Sequence, residues 1–175
     1  MINEEKSILN EAYSVFSGTM TGSVATLGAK LGTTSEDGLT ISFEFGDFEV
    51  ENGENLTTIG FTRRPKYALA EIALMEFDRT ALETALPMID VVGNGYSLKS
   101  GAYKLHELTE CFIFAPSEDP DNKSRWIIFP KAVNVGSPSF EFGPEVVTVI
   151  GLELRTFQNA SKYHVLFGNT GNVGV

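Results

Sequence analysis

Between Leu39 and Phe45 the chain alternates: Leu39, Ile41, Phe43 and Phe45 are apolar, while Thr40, Ser42 and Glu44 are polar. A period of two predicts a strand with one face on a core. After Gly46-Asp47 the apolar set moves to Phe48 and Val50. That slip predicts a bulge at the dipeptide, because a strand changes face only by taking an extra residue. "EDG" at 36–38 predicts a turn before this strand, and Asn52-Gly53 predicts a hairpin after it. "LTTIGF" (56–61) is the return strand, and "RRP" at 63–65 is expected to break it.

The apolar residues of "KYALAEIALMEF" (66–77) fill both faces. A buried strand and the front of a helix both fit, and the strand is favoured. Asp78 then has the character of an N-cap, and Leu82, Ala85, Leu86 and Ile89 recur at helical spacing. The spacing predicts one short helix over 79–89, limited by Pro87 to about two regular turns. Beyond the "GNG" turn at 93–95 only strands are predicted, near 102–115, 125–134, 145–157 and 162–168, with turn-forming stretches between them. At the front, Ile8, Leu9, Ala12, Tyr13 and Phe16 suggest a short helix or docking arm over 4–16. "SGTMTGSVATLGAKLG" (17–32) reads as a linker or edge strand with little core of its own.

These elements predict a mainly β chain: an antiparallel β-sandwich or barrel with one short flanking α-helix. Residues 1–32 form an N-terminal arm, and 33–175 a single domain. The expected core is Leu39, Ile41, Phe43, Leu74, Phe77, Leu82, Leu86, Ile128, Val147, Val149 and Leu152.

A length of 175 residues suits one domain with a real core, and thirteen Phe with seventeen Gly suit a sheet-rich fold. Charge changes the picture more. The net charge is −10, and residues 1–60 hold ten acids against two bases. Such a chain does not bind nucleic acid by neutralising phosphates. Glu44, Asp47, Glu49, Glu51 and Glu54 follow one another along the first hairpin with no Lys or Arg among them. The acidic start "MINEEKSILNEAY" is unlike a basic signal-peptide head, and no apolar run approaches a membrane span.

Candidate chemistry is sparse. Cys111, the single cysteine, sits in the apolar run "CFIF" and reads as a small buried hydrophobe, with no intramolecular disulfide available. His106 and His164 lie in no nucleophile or metal pattern, and no GxSxG, Walker loop, CxxC or HExxH is present. "GNGYSLKSG" lacks the strand–loop–helix order of a phosphate loop. "SEDPDN" (117–122) lacks the calcium-loop pattern. No catalytic, cofactor-binding or metal residues are therefore expected. A β-sandwich binding module, for carbohydrate as an example, would need exposed aromatics along a groove. Tyr96, Tyr103, Tyr163 and Trp126 are the candidates, with Trp126 expected in the core.

Three stretches carry a resemblance. "LGTTSEDGLTISFEFGDFEVENGE" is a Gly-containing turn entering a strand and then an acidic hairpin. "RRPKYALAEIALMEFDRTALETALP" is a strand running into a short helix that ends near Pro. "WIIFPKAVNVGSPSFEFGPEVVTVIGLELRTFQN" is an aromatic strand, a Lys-Ala step, a Ser-Pro turn and a long β-branched strand. In this order the blocks resemble the tail tube (major tail) proteins of long-tailed, siphophage-like bacteriophages, over roughly residues 27–168.

The resemblance implies a structural virion protein of the phage tail, assembled in the host bacterial cytoplasm. Copies form hexameric rings that stack into a tube, meeting tape-measure, tail tip and tail terminator proteins. DNA passes through the hole without specific binding, and no cofactor or membrane is involved. A tail terminator, or an inner tube protein of a type VI or contractile system, shares that fold. Glu44, Asp47, Glu49 and Glu51 become candidates to face the hole, where carboxylates would repel phosphates. Glu44 and Glu49 are expected to lead if the bulge sets them on one face. A solvent-facing or inter-ring loop is the other reading of the same acidic line.

Overall fold

The computed structural model describes residues 12–168, apart from Ser23, 53–56, 76–82, Ala85, Pro87, Asn94, 99–101, Tyr103, 138–149 and 161–162. It is mainly β and antiparallel. The strands are β1 (Tyr13–Thr21), β2 (Val24–Asn52), β3 (Thr57–Leu74), β4 (Ile89–Val92), β5 (Gly95–Leu98), β6 (Glu110–Pro116), β7 (Ile127–Asn134), β8 (Ile150–Thr156) and β9 (Leu166–Phe167). Leu105–Glu107 and Lys123–Arg125 are single turns of 3-10 helix.

The main sheet runs β6-β1-β2-β3-β8-β7, and β7 pairs back to β6. It therefore closes into a barrel, which removes the edges an open sheet would leave. Inside stand Val15, Leu31, Leu74, Phe112, Phe114, Phe129, Ile150 and Leu154. Phe114 and Phe129 meet edge to face with centroids 5.1 Å apart. β6 is buried on both faces: Phe112 and Phe114 point inward, while Cys111, Ile113 and Ala115 join a second cluster with Trp126, Ile128 and Ala25. Trp126 is only 2 % exposed, and its indole N–H donates to the Pro120 carbonyl at 2.7 Å.

Residues 13–32 are not an appendage. β1 lies between β6 and β2, with Tyr13, Val15 and Leu31 in the core. The glycines that suggested a linker serve close packing instead. Gly22 turns the β1–β2 hairpin at φ 63°, and a Cβ on Gly18 would sit 2.6 Å from Ile113. Helical spacing at 12–16 misled because β1 is buried on both faces at its start.

Other boundaries shift for similar reasons. "EDG" does not end a strand: residues 35–38 are a wide bulge inside β2, opposite Ala73 alone. "RRP" does not end β3 either, which runs through to Leu74. Leu105–Glu107 is a 3-10 turn where a strand start was expected, and 162–168 contributes only Leu166–Phe167. Of the helix expected over 79–89, most lies outside the described residues. Glu83 and Thr84 are helical, while Ile89 already begins β4. No complete α-helix stands among the described residues.

Leu74, Ile128 and Leu152 are buried as expected, and Leu39 and Ile41 pack against the barrel core. Phe43 does not join them. It is 45 % exposed, at the margin of the barrel: its partner Ala68 lies one residue beyond the last β3–β8 pair. Leu86 is half-buried; Phe77, Leu82, Val147 and Val149 lie outside the described residues.

Candidate functional site

β2 pairs with β1 only through Thr33 and with β3 from Thr34 onward. β3 pairs with β8 only from Leu69 to Leu74. The rest of the β2–β3 hairpin, beyond Glu44 and Tyr67, leaves the barrel as a two-stranded ribbon. Eight residues of strand at about 3.3 Å each carry it some 26 Å outward. Among the described residues, neither outer edge of this ribbon pairs with another strand.

Of the four candidate acids, Asp47, Glu49 and Glu51 lie on β2 where it forms this ribbon, and Glu44 stands at its root. The bulge stands close to its expected place but on the other strand. Glu44 pairs with Tyr67 and Phe45 with Pro65, so the extra residue is Lys66 of β3. Pro65 has no N–H to give a ladder, and a bulge on an edge strand is where that is tolerated. A second shift between Val50 and Glu51 again puts the extra residue on β3. β2 itself alternates without interruption. Positions 44 and 47 therefore take opposite faces. The side chains of Glu49 and Glu51, expected with Glu44 and Asp47 along this line, lie outside the described residues.

The acidic line is also not unopposed. Asp47 lies directly across from Arg63, whose Nε and Nη2 donate to its two carboxylate oxygens at 2.8 and 3.1 Å. This hydrogen bond, with the Arg63 charge, holds the Asp47 carboxyl below its ordinary pKa and Arg63 above its own. The same guanidinium lies 5.6 Å from the centre of the Phe45 ring. Glu44 stands 3.9 Å from Lys66. Residues 44–66 hold five acids against three bases. Read only as a breaker, "RRPK" concealed these partners. Counting back from a two-residue Asn52-Gly53 turn would have put Thr58 opposite Asp47; the longer connection (Asn52 pairs with Thr57) and the extra β3 residue opposite Val50–Glu51 bring Arg63 there instead.

At the ribbon's root, the Thr156 hydroxyl accepts from the Ala68 N–H at 2.7 Å and lies 3.3 Å from His164 Nδ1. Burial holds the His164 pKa below its ordinary value. Phe43 meets Phe167 of β9 at 6.5 Å, and Phe167 is 66 % exposed.

Elsewhere, a cavity of about 560 Å³ is lined by Glu83, Glu107 and Glu110 with Thr109 and Asn134. Partial burial, then the Glu83 charge, pushes the Glu110 pKa up. No group of three or more His, Cys, Asp or Glu among the described residues is placed to hold a metal. Cys111 is a free, buried thiol, its pKa pushed up to about 11 by burial. His106 is on an exposed 3-10 turn beside Glu107. Of the aromatics considered for a binding groove, Tyr163 is exposed, Trp126 is core, and Tyr103 lies outside the described residues. Among the described residues no helix is long and apolar enough to cross a membrane.

No protein-family model matches the sequence, and no curated protein is significantly similar to it.

Proposed function

We propose that this chain is a structural subunit that assembles with copies of itself through the β2–β3 ribbon, as the tail tube protein of a siphophage-like particle. The observation that carries this reading is the ribbon itself. A two-stranded ribbon standing clear of its core is marginal alone, and its outer edges offer rows of backbone donors and acceptors. A neighbouring copy satisfies them by continuing the sheet. Repeated around an axis, a heterologous contact of this kind closes into a ring. Stacked rings form the tube, joined at its ends by tape-measure, tip and terminator proteins.

On this reading the protein is not an enzyme, and its charge sets the behaviour of DNA in the hole. The acids of β2 supply the negative charge, with Asp47 tied to Arg63. Excess carboxylate there keeps phosphates from lingering, within a Debye length of about 8 Å at physiological salt. Negative-stain microscopy of the concentrated protein tests the proposal. Rings or tubes with a central hole are expected. A strict monomer under all conditions, with a bound sugar, would reject it.

A further inference from the structure

Where the ribbon leaves the barrel, there is an open cleft of about 240 Å³. Lys66 and Tyr67 of β3, Arg155 of β8 and His164 line it, with Thr156 and Gln158. Among the described residues no Asp or Glu does. In a chain of net charge −10, three basic side chains gathered around one opening without a carboxylate stand out.

The cleft is held in shape. The Arg155 guanidinium lies over the Tyr67 ring at 4.0 Å. Stacking uses the face of the guanidinium and leaves its in-plane N–H groups to meet an acceptor. Lys66 has Glu44 at 3.9 Å, the loose limit of an ion pair, on an exposed strand. His164 is anchored on one side only by the Thr156 hydroxyl, which also touches both the Ala68 N–H and its carbonyl. That hydroxyl has one proton and cannot donate to the Ala68 carbonyl and His164 Nδ1 together. A protonated imidazole donating to Thr156 leaves the hydroxyl free to donate to Ala68.

We propose that this cleft is a binding site for a small oxyanion, a carboxylate or phosphate group, held by Arg155 and Lys66 with His164 joining as imidazolium. Arg155 supplies planar, paired donors, and Lys66 supplies a mobile point charge. The charged groups facing His164 are then Lys66 and Arg155, with Glu44 beyond Lys66. In the empty cleft burial disfavours the positive charge on His164. A bound anion reverses the balance and favours the imidazolium. The site stands apart from the assembly reading, since it lies within one copy.

Proton NMR of the two imidazoles in the full-length protein tests it. Inorganic phosphate and acetate are titrated in separate arms, at constant ionic strength with chloride. His164 is expected to shift saturably and its pKa to rise, while His106 stays still. Saturation in both arms shows a general oxyanion site; saturation in one shows which chemistry it takes. Lys66→Gln and Arg155→Gln change exposed side chains, and their folding is checked by circular dichroism. Each should weaken binding by about tenfold or more, the size of one lost charge-assisted hydrogen bond. No saturation in either arm, equal drift at both histidines, or saturation unchanged in both variants would overturn the site.

Discussion

Thr156 ties β8 to β3 through one buried hydroxyl. Replacing it with Val keeps the shape but leaves the Ala68 N–H without its acceptor. Thr156→Val should cost about 1–3 kcal/mol in a denaturant titration. His164, beside it, contributes a pH dependence of known sign. Its folded pKa lies below the ordinary 6.5, so the unfolded chain takes up the proton first as pH falls. The resulting stability is fully present above 6.5 and is lost as pH falls through the folded value. Denaturation midpoints in chloride buffer should decline over that window, and His164→Gln should abolish the decline. Residue chemistry was partly legible beforehand. Cys111 read as a buried hydrophobe from its apolar neighbours, and Trp126 as core. The bases near Asp47 and Glu44 were not legible, because ion pairs across a hairpin depend on register, and the extra β3 residues opposite Val50–Glu51 and at Lys66 each offset it by one.

The alternation from Leu39 was legible as strand because period two maps onto the two faces of a sheet, although β2 begins at Val24. Two failures have physical causes. Glycine in 17–32 looked like flexibility, but Gly18 is where Ile113 comes close to the backbone. Phe43 looked like core, yet alternation records which face a residue takes and not how far the sheet beneath it extends. Truncation separates these points. Removing residues 1–11 spares every described strand and should leave a cooperatively unfolding protein. Removing 1–16 takes Tyr13 and Val15 out of the core and cuts β1 from β6, so cooperative thermal unfolding should be lost. The ribbon should behave in the opposite way. Joining residues 45 and 65 through a short turn removes none of the buried core side chains among the described residues. The shortened protein should stay folded by circular dichroism, and it should no longer form rings or tubes.

For the whole molecule, the ribbon carries two long strand edges that pair with no other strand among the described residues, and self-assembly through them is the central claim. Amide hydrogen exchange, compared between dilute and concentrated protein, reads those edges directly. Assembly by edge pairing should slow exchange of alternate amides along residues 45–52 of β2 and 57–66 of β3, while barrel amides keep their rates. Identical exchange in the ribbon at both concentrations, in samples where microscopy shows rings or tubes, would contradict the account and move the contact to another surface.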